Sequence, residues 1–337
     1  MWREVFVKRP RFYILIALAA LLGAFAGLAG CARAKPAAGG DKLLVAVSIL
    51  PQKFFVERIA GERVEVLVVV GEGQSPHSYE PSPRQLERLS RAAFWLLSGT
   101  DFEQSLEPKL RNLYPQLSIV DGTAGVTFRV LDAHSHGDED HDEEGHAEDG
   151  HADDEHADDE HADDEADQAP GELELDRHTW LGREPAKIMA GHILAALERT
   201  DPAHTDEYRA RHAALIAEID GRFDELADLL APMAGQKVLV FHPAFGYFLD
   251  EFGLVQVAVE TGGKEPTPKA LATLVNEARE EGARAIFVQA QFPVESARSI
   301  AASLGAEVLP LDPLAADWLD NIRVMGETLV KAAGGRR

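Results

Sequence analysis

Residues 43–70 read LLVAVSILPQKFFVERIAGERVEVLVVV. Eight largely apolar residues, 43–50, have the length and β-branched content of a buried strand. Residues 53–60 follow with helical spacing, and 64–70 form a second run dominated by valine. Downstream, 85–91 are helix-like and 92–97 are apolar again. Strand, helix, strand and helix in succession is the pattern of a doubly wound α/β domain with a parallel sheet.

The second half of the chain repeats the theme. Strand patterns fall at 237–241, 254–259, 283–288 and 307–311, and helical patterns at 268–281 and 294–303. Between the halves, Tyr208, Leu215, Ile219, Phe223, Leu226 and Leu230 recur at spacings that keep them on one helix face. Asp201 and Pro202 mark the start of that helix, and Pro232 and Gly235 its end. The expected fold class is α/β, with two doubly wound lobes joined by one long rigid helix. The boundaries implied are 41–181 for the N-terminal lobe, 182–200 for a further helix of that lobe, 201–232 for the connecting helix and 233–337 for the C-terminal lobe.

The chain begins differently. Arg3, Lys8, Arg9 and Arg11 precede an uncharged apolar run, 12–30, which is the layout of a secretory signal, though an uncleaved membrane anchor has a similar pattern. Leu28-Ala29-Gly30-Cys31 resembles the bacterial lipobox, in which the cysteine is lipidated after cleavage. Residues 1–30 are therefore expected to be a lipoprotein signal, Cys31 the lipidation site and 31–40 a flexible tether to a bilayer. As the sole cysteine, Cys31 has no partner for an internal disulfide.

The formal charge is −24, and much of it is local. Residues 132–167 hold nineteen Asp and Glu and no Lys or Arg, leaving roughly −8 on the rest of the chain beyond the signal. Neither part offers the basic surface that nucleic acid requires. Within the same stretch His136, His141, His146, His151, His156 and His161 recur every five residues, a period of neither helix nor strand. With so much like charge and so little apolar content, 132–170 is expected to be a disordered loop whose histidines, His134 included, bind zinc weakly.

Four further motifs carry candidate chemistry: Pro76-His77-Ser78-Tyr79-Glu80-Pro81, Asp176-Arg177-His178-Thr179-Trp180-Leu181, Phe241-His242-Pro243-Ala244-Phe245-Gly246-Tyr247-Phe248 and Asp312-Pro313-Leu314. Any one histidine beside an aromatic residue is more often a packed core residue than a ligand. Together they say more, because ligands of open α/β sheets gather beyond the carboxyl ends of strands, where His77, His242 and Asp312 are expected. Imidazoles with one carboxylate suit Zn²⁺. A zinc hydrolase would need a general base and an open coordination position; no His-Glu-x-x-His or Gly-x-Ser-x-Gly pattern is present, and an enzyme is not expected.

With these motifs in these positions, residues 41–332 resemble the cluster A-I metal receptors of ABC importers, most closely their zinc-specific, ZnuA-like branch. The resemblance implies a metal site in the cleft between lobes, with His77 and His178 from the first and His242 and Asp312 from the second. It implies zinc, since manganese-type relatives place a carboxylate at the position of His242, and it implies the importer's membrane permease as partner to a monomeric receptor. One departure is Pro76, where some zinc receptors carry an acidic ligand, so that Asp312 or a water must be the fourth partner. Glu260 is a candidate acceptor for a histidine N–H. A manganese or iron receptor, and an extracytoplasmic zinc buffer or adhesin built around the histidine loop, are the competing readings.

Overall fold

The computed structural model describes residues 42–131, 174–260, 267–280, 283–289, 291–292 and 294–334. The expected signal, Cys31, the tether and the acidic loop with its histidines lie outside these.

Strand β1 (Leu43–Ile49) runs directly into helix α1 (Leu50–Ala60). The helix starts three residues earlier than its periodicity suggests. Pro51 falls in the first turn, where a missing N–H breaks no helical hydrogen bond. Gly61, at φ 64°, ends it in a conformation that suits glycine. Strand β2 (Val64–Val70), helix α2 (Pro83–Leu89), strand β3 (Phe94–Leu97), helix α3 (Asp101–Leu113) and strand β4 (Ser118–Asp121) complete a parallel sheet of order β2-β1-β3-β4. Ser82 and Gln85 cap α2 reciprocally.

A short antiparallel ribbon follows, with β5 (Arg129–Val130) paired to β6 (Leu175–Asp176). Leu131 N–H donates to Glu174 O at 2.8 Å, so the two ends of the 132–173 segment meet at its base. Helix α4 (Arg183–Thr200) leads through a 3₁₀ turn, Pro202–His204, into the connecting helix α5 (Thr205–Leu230).

The second sheet comprises β7 (Lys237–Val240), β8 (Val255–Ala258), β9 (Ala285–Val288) and β10 (Glu307–Pro310), interleaved with α6 (Gly246–Glu251), α7 (Pro268–Glu280) and α8 (Val294–Leu304). Its order is β10-β9-β7-β8, all parallel. Numbered within its own lobe, it repeats the first sheet's order. Helix α9 (Trp318–Ala332) closes the fold.

The buried residues of α5 are Tyr208, Leu215, Ile219, Phe223, Leu226 and Leu230, the six whose spacing foretold the helix. Each contributes about 1.5–3 kcal/mol by leaving water. They face α1 and α4 of the first lobe and α9 of the second. Gly326 of α9 lets the second lobe come close, since a Cβ there would stand 2.5 Å from Leu226 Cδ2. One hydrophobic core therefore runs through both lobes, with Phe55, Phe223, Phe252 and Trp318 in aromatic contact along it. A second, smaller cluster lies between the second sheet and α7 and α8.

Candidate metal centre

His77 stands in the loop 71–82 between β2 and α2. The loop is pinned from several sides. Gln85 Nε2 donates to Val69 O (3.0 Å) and Tyr79 Oη (2.6 Å), Tyr79 packs edge-on against Phe102, and Phe102 N–H donates to Pro76 O (3.3 Å). The His77 side chain is one-third exposed, and its Nδ1 lies 2.6 Å from Asp101 Oδ2 in the first turn of α3. The His77 hydrogen bond outweighs partial burial and holds the Asp101 carboxyl below its ordinary range.

His178 follows β6 by two residues. Asp176 Oδ1 accepts its backbone N–H at 3.0 Å and lies 2.9 Å from its Nδ1, so one carboxylate sets both the backbone turn and the ring. The other oxygen accepts from Arg129 Nη1 at 2.8 Å, and Arg129 Nε reaches Asp250 across the lobes. Burial pushes Asp176 up, but hydrogen bonding and charge from His178, together with Arg129, pull it below the usual carboxylate range. Gly246 is required at this junction, because a Cβ would collide with Arg129 and Asp176.

His242 sits two residues past the end of β7, and Glu260 two past the end of neighbouring β8, where its N–H donates to Phe241 O at 2.9 Å. Glu260 Oε2 is 3.5 Å from His242 Nδ1, an ion-pair distance too long for a good hydrogen bond, and Nδ1 has no hydrogen-bond partner among the described residues. Phe292 stacks on the ring at 4.7 Å. Burial lowers the His242 pKa to about 4 despite Glu260, with His178 and His77 adding to the effect. The ring is therefore neutral near pH 7, the form that binds metal.

Each histidine thus turns Nδ1 toward a carboxylate and frees Nε2. His242 Nε2 and His178 Nε2 stand 3.4 Å apart, and candidate ligand atoms of all three rings lie within 4.8 Å of one another. Two nitrogens bound to one tetrahedral zinc at about 2.0–2.1 Å are separated by roughly 3.3–3.4 Å. The buried pair already has that spacing, and the one-third-exposed His77 ring offers a third nitrogen within 4.8 Å of them.

Asp312, expected as a fourth ligand, is not part of this cluster. Its Oδ1 accepts Leu314 N–H at 2.9 Å, a local turn just past the edge strand β10. The Asp-Pro-Leu segment serves the site through Pro313 and Leu314, which line it, and through Pro313 O, which accepts Trp180 Nε1–H at 2.7 Å. Glu260 lies where expected. Asp101 and Asp176, the partners of His77 and His178, were not foreseen. For Asp176 the signal was present, two residues before His178 in the quoted motif; for Asp101 there was none.

A family model described as "ZnuA: Zinc-uptake complex component A periplasmic" matches residues 45–332. The high-affinity zinc uptake system protein ZnuA of Paracoccus denitrificans is 34% identical over 83% of this chain and 88% of its own length. The ZnuA protein of Brucella abortus is 32% identical over 83% and 86%. A solved ZnuA deletion mutant with zinc bound has 33% identity and a TM-score of 0.72, covering 87% of this chain and 98% of its own.

Proposed function

The chain belongs to the ZnuA family of zinc-uptake components, a family of metal-binding receptors and not of enzymes, and from that membership we propose that it captures Zn²⁺ extracytoplasmically and passes it to an ABC-type importer. The transported ion is held by His77, His178 and His242. The observation that carries this reading is the 3.4 Å approach of two Nε2 atoms whose rings both turn Nδ1 toward buried carboxylates. Three nitrogen donors favour zinc over the harder manganese and iron cations.

The remaining parts of the proposal follow the sequence. A lipid anchor at Cys31 would hold the receptor at a bilayer, and the permease of the importer would be its partner. No helix among the described residues is long and apolar enough to cross a membrane. The test is metal analysis of the purified soluble domain after dialysis, with calorimetry against a competing chelator. One tightly held zinc per chain is expected; preferential retention of manganese would overturn the metal assignment.

A further inference from the structure

Beyond the carboxyl end of β9, Gln289 and Gln291 border the same cavity as the three histidines. Gln289 is buried, 1% exposed. Its Nε2 donates to His242 O at 3.0 Å, which fixes the amide's orientation and so the position of Oε1. That oxygen has no hydrogen-bond partner among the described residues, and neither has the buried Oε1 of Gln291. Two glutamine carbonyl oxygens, on residues that line the same cavity, are therefore left without donors among the described residues.

A buried acceptor that stays unpaired costs about 1–3 kcal/mol, so a pair of them in one place calls for a ligand that donates. The cavity that the histidines and glutamines share measures about 20 Å³, and a water held in it needs two or more polar partners. Trp180, Phe292, Pro313 and Leu314 supply apolar wall and no side-chain acceptor facing a cation. Three histidines leave tetrahedral zinc one coordination position, and Asp312 is turned into its own local bond. A water on zinc has two polarised O–H groups, and the two glutamine oxygens are two neutral acceptors.

Resting on the zinc reading above, we propose that the fourth ligand of the transported ion is a solvent molecule, and that Gln289 and Gln291 are the positioning residues that accept its two hydrogen bonds. The consequence is chemical. A carboxylate ligand would cancel part of the ion's charge and hold it, whereas a bound water leaves the dication's charge intact and can depart. It also confines oxygen coordination to a single position, which disfavours cations that take six or more oxygens.

The experiment uses the full chain and its Gln291→Leu, Gln289→Leu and Gln289→Glu forms. Zinc release into excess chelator is timed, the visible spectrum of the Co²⁺-loaded protein is recorded, and the zinc-loaded wild type is crystallised. One tightly held zinc per chain is expected in all forms, beyond the weak sites of the histidine loop. Release should quicken about five- to tenfold in the leucine variants, with a shifted Co²⁺ band, and Gln289→Glu, which keeps an acceptor but loses the Nε2 bond to His242 O, should release more slowly than Gln289→Leu. The crystal should show an oxygen bound to zinc and within hydrogen-bond distance of both glutamine carbonyls. Unchanged release and spectrum in both leucine variants would overturn the proposal, as would Asp312 or a glutamine oxygen bound directly to zinc. Should Gln289→Leu fail to fold through loss of its bond to His242, Gln291→Leu decides alone. A wild type that binds no zinc would sink the zinc reading and this inference together, whereas zinc bound without the glutamine effects removes only the inference.

Discussion

Trp318 of the second lobe donates its indole N–H to the carbonyl oxygen of Trp180 in the first, at 2.8 Å, while Trp180 donates its own to Pro313 O of the second lobe at 2.7 Å. Both indoles are buried, and Trp180 also packs against the His178 ring at 5.4 Å. The two lobes are thus fastened to each other immediately behind His178.

Replacing Trp318 by Phe removes one of these bonds and leaves a buried carbonyl without its donor. The expected cost is about 1–3 kcal/mol of folding stability, read from urea unfolding of the metal-free protein. Trp180→Phe should cost a similar amount and also speed zinc release, because the same residue supports His178. Equal release from both variants and wild type would separate the tryptophans from the site.

Loss of a histidine and loss of Asp312 should differ sharply. His178→Ala and His242→Ala are expected to weaken zinc binding by a hundredfold or more, on the order of 3 kcal/mol, whereas Asp312→Ala should change it by less than about fivefold. Chelator competition measures all three. Undiminished affinity in the His242→Ala protein would rule out the three-histidine centre.

The start of the connecting helix gives a pH test. Asp201 accepts hydrogen bonds from Tyr208 Oη and from His204 Nδ1, the latter at 2.7 Å. Burial raises its pKa, but Tyr208 and His204 together bring it below the ordinary value. A folded-state pKa below the unfolded one means that this contribution is complete above about pH 4 and is lost as the carboxylate protonates at lower pH. Asp201→Asn should therefore cost roughly 1–2 kcal/mol near neutrality, and its deficit relative to wild type should shrink at pH 3. A deficit of the same size at both pH values would remove the carboxylate's charge from the account.

Because β5 and β6 bring residues 131 and 174 together, the acidic segment between them can be replaced by a short glycine turn without altering the ribbon. Zinc stoichiometry should fall to one per chain while tight binding persists, and the weaker sites of the intact protein should fade below about pH 6.5 as free imidazoles protonate. Calorimetry at two pH values checks both. Disappearance of tight binding on deletion would place a primary ligand in the loop.

Much of this was legible in the sequence where periodicity or motif spoke for it. The α5 face could be read because six buried residues share one side of a long uninterrupted helix. The meeting of the three histidines could be read from strand ends for His77 and His242, and for His178 only from the family resemblance. Helix α3 escaped because Pro108 interrupts its pattern, and with it went Asp101, the partner of His77. Gln289 and Gln291 carry no charge and belong to no motif; only three-dimensional proximity to His242 marks them. Asp312 lies outside the three-histidine cluster, with its Oδ1 accepting Leu314 N–H. Position after a strand does not say whether a carboxylate turns into the cleft or back onto the following backbone.

The shared core limits how far the two lobes can move apart. Since α5 buries its apolar face against both lobes at once, swinging the lobes wide apart would expose that core to water. Any rearrangement on binding an ion would then be small and centred on the side chain of His77, which is one-third exposed where His178 and His242 are buried.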